Sequence, residues 1–179
     1  MITIIFESHA TTTDNENGIA SGTNDVPLSD LGIKQAQELG DRYKKESFDA
    51  IFCSDLMRSY KTAEIAFGDR NFVIIKDTRL RECDYGKLNG ASKEEVEAKK
   101  SQYISTPFLE GESYEQTTEK MESFLLELAE KHPDKKIMIV GSRATQYGLE
   151  HLINKVLLAK AVTGSWRWQP GWTYYLEKL

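Results

Sequence analysis

Short apolar runs alternate with amphipathic stretches along the 179-residue chain. Ile2–Phe6 is near-continuous in Ile and β-branched residues, the pattern of a buried strand. Ala50–Cys53, Phe72–Ile75 and Ile137–Val140 repeat it, and Trp172–Leu176 alternates as a closing strand. Between them the spacing predicts helices. One starts at Ser29, with Ile33, Ala36, Leu39 and Tyr43 on an apolar face edged by Arg42. A second runs over Asp55–Phe67 with Ser54 offering a cap. Ser92-x-x-Glu95 and Ser113-x-x-Gln116 have the form of capping boxes, the latter before a stripe of Met121, Phe124, Leu125 and Leu128. Further helices are expected from Gly141-Ser142-Arg143 to about Ile153 and near Val156–Ala161. Strands separated by helices predict one α/β domain, residues 1–179, with a mostly parallel sheet.

Two long polar segments, Ser8–Asp25 and Thr78–Gly90, interrupt this order, and loops of such length in compact domains are commonly functional. Ligands of parallel sheets lie beyond the carboxyl ends of the strands. After four successive strands come His9, Arg58, Glu82 and Ser142-Arg143, so one crevice is expected to collect them. His9 at a strand tip suits nucleophilic or acid–base work on an anion; a loop histidine satisfied by a backbone carbonyl is the alternative. Arg58, a turn into its helix, is placed to clamp an oxyanion, or else to pair with a surface carboxylate. Glu82 lies in Arg79-Leu80-Arg81-Glu82, where it would serve as a proton donor or as a salt-bridge partner of those arginines.

Composition and charge narrow the function. The chain carries 28 acidic and 23 basic residues, net −5, which disfavours duplex nucleic acid as a partner. No apolar run approaches the ~20 residues of a membrane span. The first residues lack the basic region and cleavage site of a secretion signal. Cys53 and Cys83 stand apart, as cytosolic thiols do, so a cytoplasmic location is expected. His132 and His151 read as a solvated helix end and a packing residue, and no histidine spacing supports a metal. P-loop, Rossmann and nucleophile-elbow motifs are absent.

Taken in order, these segments resemble the histidine phosphatase superfamily, the phosphoglycerate mutase-like proteins. Ser8-His9-Ala10-Thr11-Thr12-x-x-Asn15 lies where that family has Arg-His-Gly-Glu-Thr-x-x-Asn. Asp25-Val26-Pro27-Leu28-Ser29-x-x-Gly32 and Ser54-Asp55-Leu56-x-Arg58-x-x-x-Thr62-Ala63 follow its pattern. So do Leu80-x-Glu82 with Gly86, Gly111-Glu112-Ser113, and Ile139-Val140-Gly141-Ser142-Arg143-Ala144. The resemblance implies a three-layer α/β/α sandwich and phosphomonoester hydrolysis through a phosphohistidine at His9. Glu82 would be the proton donor, and Asn15, Arg58 and Thr12 would hold the phosphoryl group, with no cofactor or metal. The partner implied is a small phosphorylated metabolite or phosphate.

Two departures fall in the pocket: Ser8 stands where the family has an arginine, and Ser142 where it has a second histidine. Weakened catalysis is therefore expected, or a degenerate module that binds a phosphorylated ligand without turning it over. Ser142 at a helix start, or Arg143 turned inward, would compensate, although a residue just past a strand end more often points outward. Tyr85, Leu88, Tyr103, Phe108 and Trp166 are candidates to line the organic part of the site. Trp166, Trp168 and Trp172 are candidates for a contact in a homo-oligomer.

Overall fold

The computed structural model describes residues 1–177. Its main sheet comprises β1 (Ile2–Ser8), β3 (Ala50–Cys53), β4 (Ile74–Lys76), β6 (Lys136–Gly141) and β7 (Trp172–Leu176), in the order β4-β3-β6-β1-β7. The first four are mutually parallel, and β7 pairs antiparallel on the edge of β1. A second, two-stranded sheet joins β2 (Ile19–Ala20) to β5 (Ala91–Ser92).

Alternation along the strands decides which helix covers which face. Ile137 and Ile139 of β6, with Ile2, Ile4 and Phe6 of β1, meet the Met121, Phe124, Leu125 and Leu128 stripe of α5 (Tyr114–Lys131) and Leu149 of α6 (Arg143–Leu152). Met138 and Val140, with Ile51 and Cys53, meet Leu39 of α2 (Asp30–Arg42) and Ala63, Ala66 and Phe67 of α3 (Met57–Phe67). Helices on both faces make the three-layer sandwich. A third apolar cluster, Tyr85, Val96, Phe108, Tyr114 and Tyr147, joins the Thr78–Gly90 loop to α4 (Lys93–Lys99), with partly buried Ala161 of α7 (Leu158–Thr163) packed against it.

Local chemistry moved several expected boundaries. The Ser8–Asp25 stretch contains α1 (Thr13–Glu16), whose capping box joins Thr12 to Asn15. Helix α3 begins two residues later than expected, at Met57; its cap position is Leu56, and the Ser54 hydroxyl has no partner among the described residues. Strand β4 is shifted toward Lys76, and of the two expected boxes the one at Ser113 is fully reciprocal, whereas Ser92 merely accepts from the Glu95 amide. Ile33 of α2 is exposed; Gly32, Ala36 and Leu39 are its buried face. Gly32 is needed there because a Cβ would sit 2.0 Å from the Thr11 carbonyl oxygen. That close approach sets α2 against the segment after His9.

Candidate active site

The carboxyl ends of β1, β3 and β6 open onto a cavity of about 660 Å³, within the range typical of small-molecule sites. His9, Asn15, Arg58, Glu82, Ser8 and Arg143 all line it. His9, Arg58, Glu82 and Arg143 come from four separate stretches of chain, as the topology had implied.

His9 extends β1 by one residue, its amide donating to the Gly141 carbonyl of β6 at 2.9 Å. Its Nδ1 lies 2.8 Å from the Ala10 carbonyl oxygen. A carbonyl only accepts, so the proton sits on Nδ1 and the Nε2 lone pair is free. Burial, reinforced by the Arg58 guanidinium, pushes the imidazole pKa down to about 3. His9 is thus a neutral imidazole at physiological pH, the form that a nucleophile requires. The Ala10 amide in turn donates to the Thr62 hydroxyl at 3.0 Å, and that hydroxyl donates to the Arg58 carbonyl at 2.7 Å. Helix α3 therefore fixes both the backbone beside the imidazole and the arginine opposite.

Arg58 is 3% exposed. Nη1 donates to the Asn24 carbonyl at 2.9 Å and Nη2 to the Gly22 carbonyl at 2.5 Å. Gly22, at φ +55°, turns that carbonyl inward in a conformation that suits glycine. Burial lowers the Arg58 pKa, and the Glu82 carboxylate opposes the shift, which places the two within electrostatic reach. Asn15 uses its side-chain oxygen to accept the Thr12 amide at 3.1 Å, so its NH₂ is the group left to meet a ligand. Glu82 is nearly buried, and its Oε1 accepts the Cys83 amide at 2.9 Å. Arg79 and Arg81 are not its partners: Arg79 pairs with Asp77 and Glu127, and Arg81 with Asp55.

The substituted positions look different. The Ser8 hydroxyl makes one long contact, 3.4 Å, to the His9 carbonyl. Ser142 holds the N-cap position of α6, where its amide donates to the Thr145 hydroxyl at 3.2 Å; it is buried and does not line the cavity, and its own hydroxyl has no partner among the described residues. Thr12 likewise lies behind the wall, its hydroxyl accepting the Asn15 amide at 3.0 Å. Arg143 corrects the expectation that a residue after a strand end points outward. It enters the cavity, bonded to Glu97 and placed over the Trp166 ring at 5.0 Å. It is also close enough to help lower the His9 pKa.

Of the candidates to line the organic part of the site, Tyr85 and Trp166 line the cavity, whereas Leu88, Tyr103 and Phe108 belong to the neighbouring core. Trp166 stacks on Trp172. Sequence reasoning missed Lys93 and Glu97, whose i, i+4 spacing on α4 was the available signal, and the α2 wall of Gln35 and Glu38. Glu7, the residue before Ser8, also lines the cavity. Its Oε1 accepts the Tyr43 hydroxyl at 2.7 Å, and burial raises its pKa. Among the described residues no three His, Cys, Asp or Glu side chains group as a metal site.

One cavity of an α/β fold thus gathers an imidazole at a strand tip, a buried guanidinium and a carboxyl, and the comparisons place that fold among phosphatases. The chain belongs to the histidine phosphatase superfamily (branch 1), whose family model matches residues 4–161. It is 31% identical over 149 residues to phosphoserine phosphatase 1 of Hydrogenobacter thermophilus, covering 79% of this chain and 71% of that one. It is 30% identical to the uncharacterized phosphatase PhoE of Bacillus subtilis, covering 83% and 76%. Among solved structures, Bacillus stearothermophilus YhfR superposes with a TM-score of 0.83 over 95% of this chain and 88% of that chain, at 22% identity.

Proposed function

We propose that this protein hydrolyses small phosphomonoesters through a phosphohistidine at His9, more slowly than a site with a full complement of cations. The observation that carries the proposal is the neutral His9 imidazole, with Nδ1 donating to Ala10, in the cavity lined by Arg58, Asn15 and Glu82.

In the first step the Nε2 lone pair forms a bond to phosphorus while the bond to the ester oxygen breaks. Protonated Glu82 gives its proton to that oxygen, and the alcohol leaves. In the second step the Glu82 carboxylate takes a proton from water as the water oxygen bonds to phosphorus. The P–N bond breaks, its electron pair returns to Nε2, and phosphate leaves. Asn15 and Arg58 hold the non-bridging oxygens, with Arg143 as a second cation. Positioning and charge stabilisation carry most of the rate in such a transfer. Each missing donor to the transferring group costs ~10²–10³, which is why Ser8 and Ser142 point to slow turnover. Uncatalysed hydrolysis is slow enough that such a site still accelerates it greatly.

A second reading rests on Ser142. Its hydroxyl is buried and off the cavity wall, so nothing at that position replaces the family's second histidine. On that reading the pocket binds a phosphorylated ligand without turnover. A panel of phosphomonoesters assayed with the parent chain and with His9→Ala separates the two. The phosphatase proposal expects phosphate release that is lost in the variant. Equal release from both proteins across the panel refutes it.

A further inference from the structure

The cavity continues from His9 to helix α2, on the opposite face of the sheet from α6. Gln35, Glu38 and Arg42 recur at i, i+3 and i+7, so they share one face of that helix, and all three line the cavity together with Trp168.

These groups have unspent capacity. The Gln35 side-chain oxygen accepts the Thr11 amide at 2.9 Å, so its NH₂ is left to donate. Arg42 is held by the buried Glu7 carboxylate at 3.6 Å and lies over the Tyr43 and Trp168 rings at 5.8 and 5.7 Å. Among the described residues its guanidinium makes no direct hydrogen bond. Trp168 is 57% exposed, a large apolar plane at a cavity rim.

The mixture selects a ligand chemistry. A second anion would meet Glu38, and a cation would meet Arg42. A purely apolar group would cover those polar groups without satisfying them. A ring dense in hydroxyls meets all the requirements, since each hydroxyl both donates and accepts and the C–H face of the ring lies against the indole. We propose that this α2 lobe binds a sugar or polyol, so that the phosphomonoester is a sugar phosphate. The proposal rests on the phosphatase reading for the placement of the phosphate end at His9. Glu7 acts through Arg42, as a positioning residue.

Calorimetry on the full chain carrying His9→Ala, which prevents turnover, tests the lobe. The probes are inorganic phosphate, glucose 6-phosphate, fructose 6-phosphate, ribose 5-phosphate and phenyl phosphate. At least one sugar phosphate is expected to bind more tightly than both phosphate and phenyl phosphate. Trp168→Ala is expected to shrink that advantage about fivefold or more, and Trp168→Phe to restore part of it. The proposal is overturned if phenyl phosphate binds as well as every sugar phosphate. It is also overturned if the advantage survives both Trp168→Ala and Arg42→Gln. Quenching of tryptophan emission by methyl glucoside, a sugar without phosphate, separates the two readings. Quenching lost in Trp168→Ala, in a chain that binds no phosphate compound, supports the lobe and removes the phosphatase reading. No quenching and no sugar preference removes the lobe alone.

Discussion

The two halves of the cavity are built to different standards. On one side every reacting or anchoring group is held by a specific partner: His9 by Ala10, Asn15 by Thr12, Arg58 by two loop carbonyls, Glu82 by the Cys83 amide. On the other side Ser8 offers one small hydroxyl in a single long contact, and Ser142 is buried behind the wall with no hydroxyl partner among the described residues, with Arg143 entering from the next residue. The held half contains the groups that would break and make bonds. The thin half contains positions that would only stabilise charge. Such a division lowers the rate of a phosphoryl transfer without removing its route, because transition-state stabilisation is lost while the nucleophile stays in place.

Restoring the thin half breaks the comparison most directly. Ser8→Arg combined with Ser142→His is expected to raise kcat/KM for phosphomonoesters about 10²–10⁴-fold, measured as phosphate release. An unchanged rate would mean that the cavity has been reshaped beyond those two positions. Arg143→Gln sharpens the same contrast. It is expected to cut kcat/KM about 10–100-fold in the parent chain and by less in the Ser8→Arg/Ser142→His background, where other cations share the work. Equal loss in both backgrounds would deny Arg143 a compensating role.

The fold was readable because continuous apolar runs and stripes along helices are local signals. Ile137–Val140, apolar throughout, reads as a strand buried on both faces, and its residues do divide between the two cores. His9, Arg58 and Glu82 were legible because each lies in the segment that follows a strand. What failed to show was direction. Arg143 faces the cavity because Glu97 and Trp166, 46 and 23 residues away in sequence, hold it there, and no local pattern announces such partners. Thr12 and Ser142 each bring a hydroxyl to a segment beside the site, yet one is spent on capping α1 and the other is buried behind the wall. The α2 wall was hidden for a similar reason: Arg42 sat at the edge of an apolar stripe, and its role depends on Trp168 far along the chain.

A smaller effect concerns protonation. With the folded His9 pKa near 3 against an unfolded value of about 6.5, the native state binds fewer protons between those values. His9 therefore contributes stability that is present above about pH 6.5 and lost as pH falls toward 3. In the phosphate-free protein the His9 ring resonances are expected to stay unshifted from pH 8 to about pH 4.5 in NMR titration. Movement centred near 6.5 would show a solvated ring and remove the argument for a neutral nucleophile.

The central claim is covalent, and it is tested by trapping. The protein is mixed with a turned-over phosphomonoester, quenched at alkaline pH, where phosphohistidine survives, digested and examined by mass spectrometry. The account predicts a phosphoryl adduct on the peptide containing His9, lost on acid treatment and absent in His9→Asn. Turnover without that adduct, or with the phosphoryl group on another residue, would contradict it.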